Sequence, residues 1–169
     1  GNSANFFCES GLIERLIPYF AYPNPKAMRR KASAIWNGTG REGGGSLSTQ
    51  SGALNKMPFT FKSRTTEPDG SSATNPEELI AAAHAGCFTM FLSFQLTGAG
   101  FTPEELNTTA TLDLQTEGGL RVQSIDLVVS AKVPGITNEL FQELALKSKE
   151  GCPISKLFNC EITLEAALV

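Results

Sequence analysis

Residues 75–96 read NPEELIAAAHAGCFTMFLSFQL, and the rest of the chain is organised around this stretch. Asn75 is a good helix N-cap, Pro76 suits the first helical position, and Glu78 falls at N3. From Leu79 to Leu96 the residues carry no full charge, a run long enough to cross a bilayer. His84, Gly86, Ser93 and Gln95 dilute the run, and the sequence holds no second one like it. The pattern therefore predicts a helix buried at the centre of a globular core. Gly98 and Gly100 end it, and Pro103 prevents its resumption.

Downstream of this helix the period changes to two. Ala110, Leu112 and Leu114 alternate with Thr109, Thr111 and Asp113, and Ile125, Leu127, Val129, Ala131 and Val133 alternate with polar neighbours. Gly118-Gly119 between the two runs predicts a hairpin. Residues 138–150 form an amphipathic helix with Leu140, Phe141, Leu144 and Ala145 inward, stopped by Gly151. Lys147 and Lys149 lie in its last turn, where the dipole favours cations. Pro153 can start another short helix, and Cys160, Ile162, Leu164 and Ala166 alternate as a final strand.

Upstream, Ala32 to Trp36 reads as a strand ended by Asn37-Gly38. A second run, Ser46 to Leu54, follows Gly43-Gly44-Gly45, which reads as a flexible turn. Met57 to Phe61 is a third strand, and Glu67 to Ser72 is a loop. Strands, helix, strands, helix, strand is the order of an α+β domain. Residues 1–27 read as an N-terminal extension, with Gly1 as a cloning remnant and three prolines closing the segment. It has no basic start and no long apolar run, unlike a signal peptide. The domain proper is 28–169.

Composition bounds the function. Of 169 residues 41% are hydrophobic and 18% charged, so the chain can bury a core. Net charge is -3, with 14 scattered Lys and Arg, which argues against a nucleic-acid or anionic-membrane footprint. Four cysteines are too few for a disulfide scaffold. No CxxC or HExxH is present, and the glycine run lacks the Lys and Ser/Thr of a phosphate loop.

A thiol site is the most economical chemistry left. Cys87 sits in an apolar stripe with Ile80, Ala83, Met90, Phe91 and Phe94, and on spacing alone it reads as a small buried hydrophobe. Burial raises a thiol's pKa, so a nucleophile here needs a cation that the uncharged helix does not supply. Cys152, in Gly151-Cys152-Pro153, falls between two helices, close to the positive end of the second. The alternative is a C-cap turn with an incidental thiol.

The run Thr74 to Cys87 resembles the central-helix signature of the OsmC/Ohr family, the osmotically inducible protein C and organic hydroperoxide resistance proteins. Residues 151–155 (GCPIS) resemble the family's second cysteine motif, and 133–136 (VPGI) and 160–164 (CEITL) match its flanks. The similarity spans roughly residues 29–166. It implies antiparallel sheets around a long buried central helix, in an intertwined homodimer. It also implies a peroxidase with Cys87 as the peroxidatic thiol and Cys152 as the resolving thiol, using no metal and no organic cofactor. Glu77 matches the family's carboxylate. The arginine partner is Arg64 if residues 36–64 follow the osmotically inducible branch, as 48–55 suggest, and Arg41 if they follow the other. Glu77 lies ten residues before Cys87, about 15 Å along a continuous helix, so a carboxylate touching the thiol must come from a second subunit.

Phe59, Phe61, Phe88 and Phe91 suit a fatty or aromatic hydroperoxide, or else are core. His84 reads as a structural hydrogen-bonding residue, and Cys8 and Cys160 have no catalytic counterpart. The expected partners are an organic hydroperoxide, an external dithiol and a second copy of the chain, with no nucleic acid and no membrane, in the bacterial cytoplasm. A slow redox sensor or ligand-binding protein on the same fold is the alternative.

Overall fold

The structure is a computed structural model and describes residues 28–65 and 73–169. The extension 1–27 and the loop 67–72 expected from the sequence lie outside the described residues. The elements in order are β1 (Ala32–Asn37), β2 (Gly44–Thr49), β3 (Met57–Thr60), α1 (Phe61–Thr65), α2 (Pro76–Gly98), β4 (Glu105–Gln115), β5 (Arg121–Lys132), α3 (Asn138–Gly151) and β6 (Glu161–Leu168), with a 3-10 turn at Ser155–Leu157 before β6.

Two three-stranded sheets result, β1-β2-β3 and β4-β5-β6. The first is antiparallel throughout, and so is the β4–β5 hairpin. Gly118 and Gly119 turn that hairpin at φ +75° and +120°, a region that glycine enters without a steric penalty. The antiparallel expectation fails for β6, which pairs parallel to β5. Parallel neighbours need a crossover, and α3 provides it.

The glycine run is also not the flexible turn its composition suggests. Gly44 and Gly45 open β2, and Gly45 faces Trp36 on one side and Phe59 on the other. A Cβ at Gly45 would lie 2.1 Å from the Ile35 carbonyl oxygen and 2.7 Å from the Phe59 ring. Glycine is required here by close approach. The strand accordingly starts two residues early and ends at Thr49 rather than Leu54. Phe61, expected in β3, instead opens α1, whose start is held by Ser63 N–H donating to Thr60 Oγ1 at 2.9 Å.

α2 begins as its caps predict, with Asn75 Oδ1 accepting from the Glu78 N–H at 2.8 Å. Its burial differs from the sequence expectation. Only His84, Phe88, Leu92 and Leu96 are buried, a single stripe four residues apart. Phe88, Leu92 and Leu96 join Leu127 and Val129 of β5 and Phe141, Leu144 and Ala145 of α3 in one core. The opposite face, including Gly86 and Met90, is exposed, Met90 by 63%. Every residue of β1 is exposed as well.

Candidate active site

Three residues on one face of α2 meet three residues at the end of α3 and in the turn that follows it. Cys87 and Cys152, 65 positions apart in sequence, have their sulfurs 3.2 Å apart. Both are free thiols, Cys152 fully buried and Cys87 half-buried. One turn before Cys87, His84 Nε2 lies 2.8 Å from Ser155 Oγ, and both residues are buried. One turn after it, the Phe91 ring sits against Gly151, where a Cβ would lie 2.6 Å from Phe91 Cζ.

The surroundings of Cys152 correct one expectation and explain another. α3 runs through Gly151, and Cys152 is its C-cap, with its N–H donating to the Ser148 carbonyl at 2.9 Å. The chain then makes a three-residue 3-10 turn, too short to offer a helix dipole. The backbone of this segment instead serves the other sulfur: burial raises the Cys87 pKa, and a hydrogen bond with the Ile154 backbone offsets part of that rise. Burial is the larger effect and pushes the Cys87 thiol above its ordinary value, with Cys152 adding to the rise. Burial also raises the Cys160 thiol and lowers the His84 imidazole, which keeps His84 neutral near physiological pH.

The second pair expected from the sequence forms at the start of α2. Arg64 Nε and Nη2 donate to Glu77 Oε1 at 2.9 and 2.6 Å. α1 presents the arginine, and Asn75 Nδ2 donating to the Ser63 carbonyl at 3.3 Å ties α1 to the cap of α2. Glu77 Oε2 is buried without a hydrogen-bond partner among the described residues. Glu77 and Cys87 stand ten residues apart on one unbroken helix, about 15 Å along its axis, which sets the carboxylate far from the thiol of its own chain. Arg41, the alternative cation, is exposed in the turn between β1 and β2.

Of the aromatic residues expected near the thiols, Phe91 is there. Phe88 is fully buried in the core with β5 and α3, and Phe59 packs on Trp36 with ring centroids 5.2 Å apart. Ser155 and Gly151 are site residues that sequence reasoning passed over. The three-residue step from Cys152 to Ser155, matching that from His84 to Cys87, was the signal available.

A thiol pair held between α2 and the C-cap of α3, on an α+β scaffold of two sheets, defines a cysteine-redox protein. Residues 68–167 match the OsmC-like protein family. The chain is 43% identical over 142 residues to the peroxiredoxin OsmC of Escherichia coli (strain K12), covering 83% of this chain and 97% of that protein. It is 30% identical over 113 residues to the organic hydroperoxide resistance protein OhrA of Bacillus subtilis (strain 168), covering 66% and 77%. The crystal structure of OhrB from Bacillus subtilis shares its fold, with a TM-score of 0.60 and 23% identity over 82% of this chain and 98% of that one. The chain belongs to the OsmC-like family.

Proposed function

We propose that this protein is a thiol-dependent peroxidase that reduces organic hydroperoxides through Cys87 and Cys152. The observation that carries the reading is the 3.2 Å contact between two free sulfurs from distant parts of the chain. The names of the relatives, a peroxiredoxin and an organic hydroperoxide resistance protein, support the same chemistry.

The Cys87 thiolate attacks the terminal oxygen of the hydroperoxide. The O–O bond breaks, Cys87 becomes a sulfenic acid, and the alkoxide takes a proton and leaves as an alcohol. The Cys152 sulfur then attacks the sulfenic sulfur. An S–S bond forms, and hydroxide departs with the Cys152 proton as water. An external dithiol returns two electrons and two protons and is itself oxidised to a disulfide. The half-buried, apolar setting of Cys87 favours an alkyl or aryl hydroperoxide over hydrogen peroxide. We place the reaction in the cytoplasm, where dithiols keep such pairs reduced.

Within one chain nothing among the described residues offsets the burial of Cys87 except the Ile154 backbone. The working enzyme is a homodimer in which the Arg64–Glu77 pair of one copy serves Cys87 of the other. Three features support this. The exposed face of α2 forms, with β4, a groove of about 710 Å³ lined by Gly86, Thr89, Met90, Ser93, Leu106 and Thr108. The first sheet exposes Ile35 by 62% and Trp36 by 37%. Glu77 Oε2 has no partner among the described residues. A guanidinium beside the sulfur stabilises the thiolate and the departing alkoxide.

Consumption of cumene hydroperoxide with a dithiol tests the reading. Cys87→Ser abolishes turnover, while Cys160→Ser leaves it unchanged. Co-expressed Cys87→Ser and Arg64→Ala chains recover about a quarter of wild-type activity, because random pairing leaves one intact site in half of the two-fold dimers. No recovery would place the arginine in the same chain as its thiol. The rival reading, a slow redox sensor, is favoured by the raised Cys87 thiol of the single chain. Reversible oxidation without catalytic turnover would select it.

A further inference from the structure

We infer that His84 is a positioning residue for disulfide closure: with Ser155, and with Phe91 on Gly151, it clamps the turn that carries Cys152 against the face of α2 that carries Cys87. The inference rests on the thiol-pair reading above and deepens it. His84, Cys87 and Phe91 are spaced three and four residues apart, so they share one face of α2. Opposite them stand Ser155, Cys152 and Gly151 in reverse order. The two outer contacts, His84 Nε2 to Ser155 Oγ at 2.8 Å and the Phe91 ring on Gly151, bracket the 3.2 Å sulfur contact. Within the turn, Lys156 N–H donates to the Cys152 carbonyl at 3.2 Å and Leu157 N–H to the Ile154 carbonyl at 3.0 Å, so Ser155 and Cys152 lie in one hydrogen-bonded turn.

The imidazole is not explained by packing alone. His84 Nδ1 is buried without a hydrogen-bond partner among the described residues. An unpaired buried nitrogen is unfavourable, and an apolar side chain would fill the position without that penalty. What an apolar side chain cannot supply is the bond to Ser155. The clamp also has a kinetic consequence. A disulfide needs its sulfurs at about 2.05 Å, so a pair held at 3.2 Å has only about 1 Å left to close. A sulfenic acid that waits for its partner is exposed to further oxidation. Holding Cys152 in place shortens the wait.

The test oxidises the reduced full-length protein with diamide and follows Cys87 and Cys152 by quenched peptide mass mapping. The Cys87 thiolate adds to diamide, and Cys152 then displaces the hydrazine to form the disulfide. Wild type closes without accumulating the open adduct. His84→Ala and Ser155→Ala slow closure at least tenfold and accumulate the adduct, and excess cumene hydroperoxide drives more of their Cys87 to sulfinic acid. His84→Gln, which can still bond Ser155, restores rapid closure; a purely structural role would not give this rescue. Closure at the wild-type rate in Ser155→Ala overturns the inference, as does equal slowing in His84→Gln and His84→Ala. If His84→Ala does not fold, Ser155→Ala, which removes a single oxygen, decides alone. Diamide needs no peroxidase site. A protein that closes rapidly yet consumes no hydroperoxide therefore sinks the peroxidase reading and leaves the clamp standing, and active enzyme with unimpaired closure in the variants does the reverse.

Discussion

The two sheets of this molecule contrast sharply. The sheet β4-β5-β6 lies with α3 and one stripe of α2 around a core in which Phe88, Leu92, Leu127 and Phe141 are fully buried. Among the described residues the sheet β1-β2-β3 contributes none to that core, and its first strand is exposed along its whole length. The functional groups divide the same way. Both thiols and their clamp belong to the core side, whereas Arg64 and Glu77 sit where the first sheet and α1 meet the start of α2. The difference is the one the proposed dimer requires: in that reading one chain completes the resolving half of the chemistry and a second copy supplies the activating half.

The contrast can be broken by mutating each side. Phe88→Ala removes a fully buried ring and should cost about 3–5 kcal/mol in urea unfolding. Trp36→Ala, on the open sheet, should instead weaken dimerisation, read as a higher dissociation constant by sedimentation. An unchanged dissociation constant would mean that the first sheet is not covered by a partner. Gly151→Ala sharpens the picture at the junction. Its Cβ would collide with the Phe91 ring, and displacing that ring should cost about 1–3 kcal/mol while parting the sulfurs. Urea unfolding measures the first effect and the rate of disulfide closure the second.

The smallest expected effect is on pH dependence. Burial holds the His84 pKa below its ordinary 6.5, so the unfolded chain binds the proton first. The native state keeps its full advantage above about pH 6.5 and loses it progressively as pH falls from there to the depressed native value. His84→Gln should flatten this limb of the stability curve, measured by thermal unfolding between pH 7 and 5. A curve of the same slope in both proteins would assign the acid loss to other groups.

Where short-range chemistry decides, the residues alone were sufficient. Asn75-Pro76 with Glu78 fixed the start of α2, Gly118-Gly119 fixed the β4–β5 hairpin, and the alternation from Ile125 to Val133 marked β5, which starts four residues earlier at Arg121, because caps, turns and periodicity act over a few residues. The same locality misled at 43–45, where composition suggests a loose turn and close approach by Ile35 and Phe59 demands glycine. The two motifs that resemble the family named Cys87 and Cys152, and their order along the chain said nothing of distance.

What the amino-acid sequence determined by itself was the inventory: an α+β chain, a capped apolar helix, two thiols in family motifs and an arginine and glutamate to go with them. Only the tertiary structure decided that the sulfurs touch, that β6 runs parallel to β5, that α2 buries one stripe and exposes another, and that Arg64 turns to Glu77. These facts depend on contacts between residues far apart in the chain, where loop closure and packing select one arrangement among many that local preference allows equally.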